Sequence, residues 1–286
     1  MKEKIFENIS EIKNDLRRNS PNILYKYRDW DCLNHRVILT KNEIWLAHPK
    51  TLNDDMDIRV PLRFNYEEIN SPLFLPKLKK YAVQHNWYPQ LNQESREFRV
   101  ACENKLDQIK QNPIKYFKDS YRSVYKSDAY DCIGVLSLTK NPLSRTMWAH
   151  YANNSKGFCV GFGTIEIFED IMPISFYRVD YVSEPMFWSF LNAENENLFE
   201  WFYIKHSDWS TEEEYRFITL DISNNKRVRK FRKSIIKEIL VGANIEDSNL
   251  HGIIQELKIG YDSQVPLYKV VRDTNCYKIE KEKIDY

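Results

Sequence analysis

The sequence predicts an α+β protein, with a mixed, largely antiparallel sheet, flanking helices and a helical insertion. Three observations point there. Short alternating or β-branched runs recur along the whole chain without regular alternation of strand and helix. From about residue 67 to 126 the apolar residues take helical spacing instead. The 286 residues, 42% hydrophobic and 29% charged, can bury the core of one large domain, residues 1–286, carrying that insertion.

In chain order, Ile5, Ile9, Ile12 and Leu16 predict an amphipathic N-terminal helix that stops before Pro21. Residues 22–28 (NILYKYR) and 42–48 (NEIWLAH) read as strands around a short helix or turn, and 51–57 (TLNDDMD) as a loop. Within the insertion, Leu73, Leu78, Tyr81, Phe98, Leu106 and Phe117 carry the helical pattern, interrupted at Pro76, Pro89 and Pro113. Strand signals return at 132–138 (CIGVLSL), followed by a short helix at 143–152. The next strand, 156–163 (KGFCVGFG), has a face of Cys159, Gly161 and Gly163 that is small enough for a ligand or another chain segment to approach. Residues 174–182 read as a strand and 186–205 as a helix. A strand over 235–242, a helix from about 247 to 258 and a last strand at 266–271 complete the order.

Between them lies DWSTEEEYRF, residues 208–217. As a strand it puts Glu212, Glu214 and Arg216 on one side and Glu213, Tyr215 and Phe217 on the other. The β-branched residues that follow favour strand over helix. Two same-face carboxylates, an arginine and the nearby Trp209 suit a reactive cleft; charges decorating an edge strand are the plainer alternative.

Composition excludes several classes. Basic and acidic side chains number 42 and 41, so net charge selects no partner. No run of about 18 apolar residues suits a membrane span, and the charged start lacks a signal-peptide core, so a cytoplasmic protein is expected. Five scattered cysteines without a CxxC pair suggest neither a disulfide framework nor a zinc site. Only seven glycines are present, and neither GxGxxG nor GxxxxGK[ST] occurs, which excludes a Rossmann fingerprint and a P-loop. No metal site is predicted. Oligomeric state is not readable.

Around residues 147–152, Met147, Trp148, Tyr151 and Ala152 form one apolar helical stripe and His150 falls to its flank, where it can face a cleft. Asn53, Asp54, Asp55 and Asp57 read as a capped loop or as carboxylate ligands. The run Lys226, Arg227, Val228, Arg229, Lys230, Phe231, Arg232, Lys233 could neutralise phosphates and stack a base on Phe231, or form a solvated hairpin.

The segments LYKYR, NEIWLAHPKTLNDDMD, VLSLTKNPLSRTMWAHYANNSKGFCVGF and WSTEEEYR together resemble the uncharacterised bacterial family called domain of unknown function two-nine-seven-one. The resemblance runs from about Leu24 to Gly242 outside the insertion. It departs from the family pattern at Asp55 and Met56, where proline and phenylalanine are expected, and at Ser155, where histidine is. The motif order is also similar to ADP-ribosyltransferases, which hold NAD in a split mixed sheet without a Rossmann fingerprint. That resemblance implies that Arg28 pairs with the NAD phosphates, that Tyr151 or Trp148 stacks on nicotinamide, and that Tyr25 and Asn53 belong to the same cleft. It implies that Glu214 holds the cationic sugar, with Glu212 acting on the acceptor and Arg216 and His150 beside them. Ser137 and Thr139 only partly replace that family's Ser-Thr-Ser strand. Such chemistry would fit a bacterial defence or toxin setting. Two alternatives stay open: a magnesium nuclease built on Asp54, Asp57, Glu212 and Glu214, and a non-catalytic nucleic-acid-binding module using residues 226–233.

Overall fold

The structure is a computed structural model that describes residues 9–58, 62–126, 131–191, 200–220, 226–261 and 264–286. Helix α1 (Ile9–Asn19) follows the predicted amphipathic spacing, and Ile5 lies outside the described residues. Strand β1 (Ile23–Arg28), helix α2 (Leu33–Thr40) and strand β2 (Glu43–Trp45) follow. After β3 (Leu62–Phe64) come the helices α3 (Phe74–Gln84), α4 (Arg96–Gln111) and α5 (Pro113–Lys126), in the stretch where the apolar residues take helical spacing. The helical pattern is interrupted at Pro89, between α3 and α4, and at Pro113, which opens α5 after α4 ends, whereas Pro76 sits in the first turn of α3, where the missing N–H has no helical partner to lose. Ile69, Phe74, Leu78, Leu106, Ile109 and Phe117 pack into a cluster of their own with Phe190.

The second half supplies β4 (Gly134–Thr139), α6 (Arg145–Tyr151), β5 (Phe158–Gly163), α7 (Thr164–Ile171), β6 (Ser175–Arg178), β7 (Asp180–Val182) and β8 (Met186–Trp188). It continues with β9 (Ile204–His206), β10 (Glu214–Thr219), β11 (Val228–Lys230), β12 (Ile236–Val241), α8 (Asp247–Tyr261), β13 (Leu267–Arg272) and β14 (Ile279–Ile284). Eight strands form the main sheet in the order β14-β13-β12-β5-β1-β4-β10-β6. Its neighbours run antiparallel except β12 and β13, which gives the mixed, largely antiparallel α+β sheet that the sequence predicts.

Strand alternation divides the core between two faces. Leu24, Leu138, Phe158, Val160, Phe162, Tyr215 and Phe217 pack with Ile167 of α7 and Ile253 of α8. Tyr25, Tyr27, Cys159 and Leu240 pack on the other face with Trp148 and Ala152 at α6. Each fully buried Phe or Leu contributes roughly 1.5–3 kcal/mol.

Four details correct the sequence reading. The helix expected over 186–205 is absent from its described part: β8 pairs with β3, a 3-10 turn covers Glu200–Tyr203, and β9 pairs with β7. These short strands exist through parallel partners elsewhere in the chain, which supply hydrogen bonds that local periodicity does not announce. The strand at 174–182 is divided at Val179 into β6 and β7. Helix α7 went unpredicted because its apolar residues run on from β5. Strand β14 also went unpredicted, since IEKEKI is a charged edge strand with little apolar signature.

Candidate functional site

The site begins where the sheet opens. Strand β1 pairs with β5 along its whole length but with β4 only at Tyr25 and Thr139. Beyond that point the strands part, the Lys26 ammonium spans the gap to the Ser137 carbonyl at 2.6 Å, and Ala47 pairs with Val135. The gap is a cleft of about 380 Å³. Lys26 and Arg28 of β1 and His35 of α2 line it together with Asn53, Tyr151 and Glu212. Ser137, Thr139, Asp57, Lys205 and Glu214 form its depth, and Trp45 stands at its rim.

A tight turn fixes the Arg28 end. Asn153, Asn154 and Ser155 all take left-handed backbone (φ 48, 53 and 66°), a conformation that asparagine tolerates and most residues avoid. The Asn153 amide donates to Asp29 at 3.3 Å. Gly157 then passes so close to β1 that a Cβ would lie 2.1 Å from the Arg28 carbonyl oxygen. Only glycine fits there.

At the deep end five buried charges interlock. Arg216 donates from Nε and Nη2 to the two Glu214 oxygens at 2.6 and 2.9 Å, from Nη2 to Asp57 Oδ2 at 2.7 Å, and from Nη1 to the Phe202 carbonyl at 2.8 Å. Lys205 lies 2.6 Å from Glu212, 3.4 Å from Asp57 and 3.5 Å from Glu214, with its ammonium over the Trp209 ring. Asp57 Oδ1 is buried without a hydrogen-bond partner among the described residues, and the next residue, Ile58, is left-handed at φ 61°. An orphaned acceptor beside a strained β-branched residue is a mark of functional loops. Two cations fill the space between the carboxylates, and among the described residues no group of three His, Cys, Asp or Glu side chains is placed to hold a metal ion.

The two glutamates differ electrostatically. Burial pushes the Glu214 carboxyl up, but Arg216 and Lys205 overcome it and hold it at about 2. Burial also raises Glu212, and there Lys205, offset by the neighbouring Glu214 charge, leaves it above the usual glutamate value. The Tyr151 hydroxyl, kept protonated by burial and by Glu212, donates to Glu212 at 2.5 Å and accepts from Asn53 at 2.6 Å.

The β1 part of the lining is cationic, and Glu214 and Glu212 act on Lys26 only through space. Neither Lys26 nor Arg28 forms an ion pair with a carboxylate among the described residues. Burial, reinforced by Arg28, lowers the half-buried Lys26 to about 7; burial lowers Arg28 to about 10. Desolvation together with the same guanidinium lowers His35 as well.

The cleft thus gathers Arg28, Asn53, Tyr151, Glu212 and Glu214 from the sequence-derived set, with Arg216 behind Glu214. Strand β10 lies between β4 and β6, so Glu214 and Arg216 do not decorate an edge. Glu212 precedes the strand, ending a 3-10 turn over Ser207–Glu212, and Glu213 is left-handed and turned to Lys140 at 2.7 Å. Other residues fall elsewhere. Trp148 is 1% exposed, donates to the Pro142 carbonyl and packs edge-on against Tyr27, so it cannot stack on a ligand. His150 faces solvent away from the cleft lining. Tyr25 borders the cleft, but its hydroxyl is committed to Glu238 at 2.8 Å, filling the space that Gly161 leaves.

The basic run is also divided. Phe231, 6% exposed, packs against Phe162 and offers no base-stacking face. Buried Arg227 donates to the carbonyls of Ile133 and Asp131, and Arg232 pairs with Glu169 and Asp170 of α7. Lys233 donates to the Gly260 carbonyl. Lys226 and Lys230 are exposed, and Arg229 is half-buried.

Sequence reasoning missed Lys26, His35, Trp45 and Lys205, and it weighed Asp57 only as part of a capped loop or as a metal ligand. The lone polar residues inside the apolar runs ILYKYR and YIKH were the available signal for Lys26 and Lys205.

Residues 147–217 match the family described as "Protein of unknown function (DUF2971)". The DUF2971 match runs from α6 through β10, so it contains Tyr151, Lys205, Glu212, Glu214 and Arg216, whereas Arg28 and Asp57 lie outside it. No curated protein and no solved structure matches the chain. Among the described residues, no helix is long and apolar enough to cross a membrane.

Proposed function

We propose that the cleft binds NAD and transfers its ADP-ribosyl group. The observation that carries this reading is the mixed polarity of the opening between β1 and β4. Lys26 and Arg28 lie in the lining without an ion-pair contact among the described residues, and Glu212 with the Tyr151 hydroxyl lies in the same lining. Desolvated cations that lack a carboxylate contact are stabilised by an anionic ligand, and a diphosphate supplies two charges at once. In the same cleft, a carboxylate is what a developing sugar cation needs.

In this reading Arg28 and Lys26 hold the diphosphate, and Tyr151 flanks the nicotinamide ribose. The bond from ribose C1′ to the nicotinamide nitrogen breaks with both electrons going to the ring, which leaves as neutral nicotinamide. Glu212 stabilises the oxocarbenium-like sugar until an acceptor oxygen or nitrogen bonds to C1′ and gives up its proton. Glu212 takes the sugar-facing role in place of Glu214, because Glu214 is clasped at both oxygens by the fully buried Arg216, whereas the groups that hold Glu212, Tyr151 and Lys205, themselves line the cleft. Its raised affinity for protons suits it to receive the acceptor's proton.

Chromatographic measurement of nicotinamide release, with water or added acceptors, tests the reading. Glu212→Gln is expected to lower the rate by roughly 10²–10³-fold, the range for one charge-stabilising group. Arg28→Ala is expected to raise the NAD concentration needed for half-maximal rate. Absence of nicotinamide release from the folded wild-type protein under all these conditions would refute the proposal.

A further inference from the structure

We propose that the two-stranded ribbon of β2 and β11 binds single-stranded nucleic acid and leads it to the mouth of the cleft. The pairs Val228–Trp45 and Lys230–Glu43 share one face of this ribbon, while Arg229 and Ile44 take the other. Ile44 is buried, so the face carrying Trp45 is the outer one. On that face Trp45 is 49% exposed and also lines the cleft, and Val228 is 43% exposed. Lys226 and Lys230 are exposed beside them, and the half-buried Arg229 bonds only backbone carbonyls of Lys226 and Val228. Glu43, half-buried, is the one carboxylate on the ribbon.

An aromatic platform among cations is the arrangement that holds an unpaired strand. The cations follow the phosphates and the ring stacks a base, which a duplex keeps inside its own stack. An acidic protein would use the charge and leave the indole idle. The outer face offers phosphate sites at Lys226 and Lys230, and the ribbon ends at the cleft because Trp45 belongs to both. This surface is independent of the transfer chemistry proposed above: binding is measured without NAD, and nicotinamide release without nucleic acid.

Fluorescence anisotropy of a short labelled oligothymidylate, competed with unlabelled duplex, tests it. Release of about two counterions predicts a log–log salt slope near −1.4, so affinity falls roughly sevenfold between 50 and 200 mM salt. Trp45→Ala should weaken binding by at least about fivefold, as loss of one stacked base does. Lys226→Glu with Lys230→Glu should abolish it, whereas Lys110→Glu with Lys118→Glu, the same charge change on α4 and α5, should leave most of it. Far-UV circular dichroism confirms that each variant is folded. Equal affinity for duplex, no effect of Trp45→Ala, or equal loss in both double variants would overturn the proposal, the last by pointing to diffuse charge attraction.

Discussion

Replacing Arg216 with methionine tests the account of the buried network most directly. Arg216 is 0% exposed and satisfies Glu214, Asp57 and the Phe202 carbonyl. Arg216→Met retains an apolar stem but leaves two buried carboxylates with only Lys205 between them. Breaking a buried pair in this way costs about 3–5 kcal/mol, against a total stability on the order of 5–15 kcal/mol for a typical protein. The pH profile gives a second number. Glu214 is held at about 2 instead of the usual 4.5, so its contribution is full above the unfolded value and is lost as pH falls through about 2. Linkage makes that contribution about 3 kcal/mol at pH 7 and roughly half of that or less at pH 3. About 2 kcal/mol of the difference between wild type and variant should therefore disappear between those pH values. Urea unfolding followed by tryptophan fluorescence and circular dichroism measures both. A loss below about 1 kcal/mol at pH 7, or a loss as large at pH 3 as at pH 7, would refute the reasoning.

Gly157→Ala should destabilise the protein by about 1–3 kcal/mol and weaken anion binding in the cleft, since its Cβ would meet the Arg28 carbonyl at 2.1 Å; unchanged melting temperature and phosphate affinity would contradict this. Phe231→Ala should cost about 3–5 kcal/mol in urea unfolding as a core truncation, a loss that an exposed base-stacking residue would not produce. Lys26, lowered to about 7, binds its proton less readily folded than unfolded. Its penalty is therefore full below about pH 7 and relieved as pH rises from there toward the unfolded value. Lys26→Met should accordingly stabilise the ligand-free protein more at pH 6 than at pH 9, which thermal melts at the two pH values will check.

Local pattern revealed the site's inner strand but not its partners. Alternation placed Tyr215 and Phe217 in the core and Glu214 with Arg216 on the other face. Alternation from Arg227 would also have put Phe231 on the inward side of β11, a signal masked by reading the run only as charge. Asp57 joins Arg216 across 159 residues, and no spacing rule reaches that far. Lys205 stayed hidden because its segment read as helix, whereas β9 exists through pairing with β7. Trp148 and Tyr151 share a helical stripe, yet the short α6 buries one against Tyr27 and gives the other to Glu212. Periodicity defines the stripe, and the neighbouring strands decide which end of it meets the cleft.

The unequal behaviour of Glu212 and Glu214 follows from one residue of backbone. Had Glu213 continued the strand, Glu212 would extend the ladder opposite β4 and lie on the same face as Glu214. Its left-handed turn instead sends its own side chain to Lys140 and Asn141 and brings Glu212 to Lys205 and Tyr151. One carboxylate is thereby fixed as an anion by a guanidinium, and the other retains protons more readily in the same cleft. Neighbouring acids whose proton affinities are driven apart can divide a reaction between a permanent negative field and a proton acceptor. In the proposed reaction Glu214 would maintain the field and the position of Arg216, and Glu212 would carry the exchangeable proton. Substituting Glu212 should therefore move the pH dependence of any activity, whereas substituting Glu214 should first appear as lost stability.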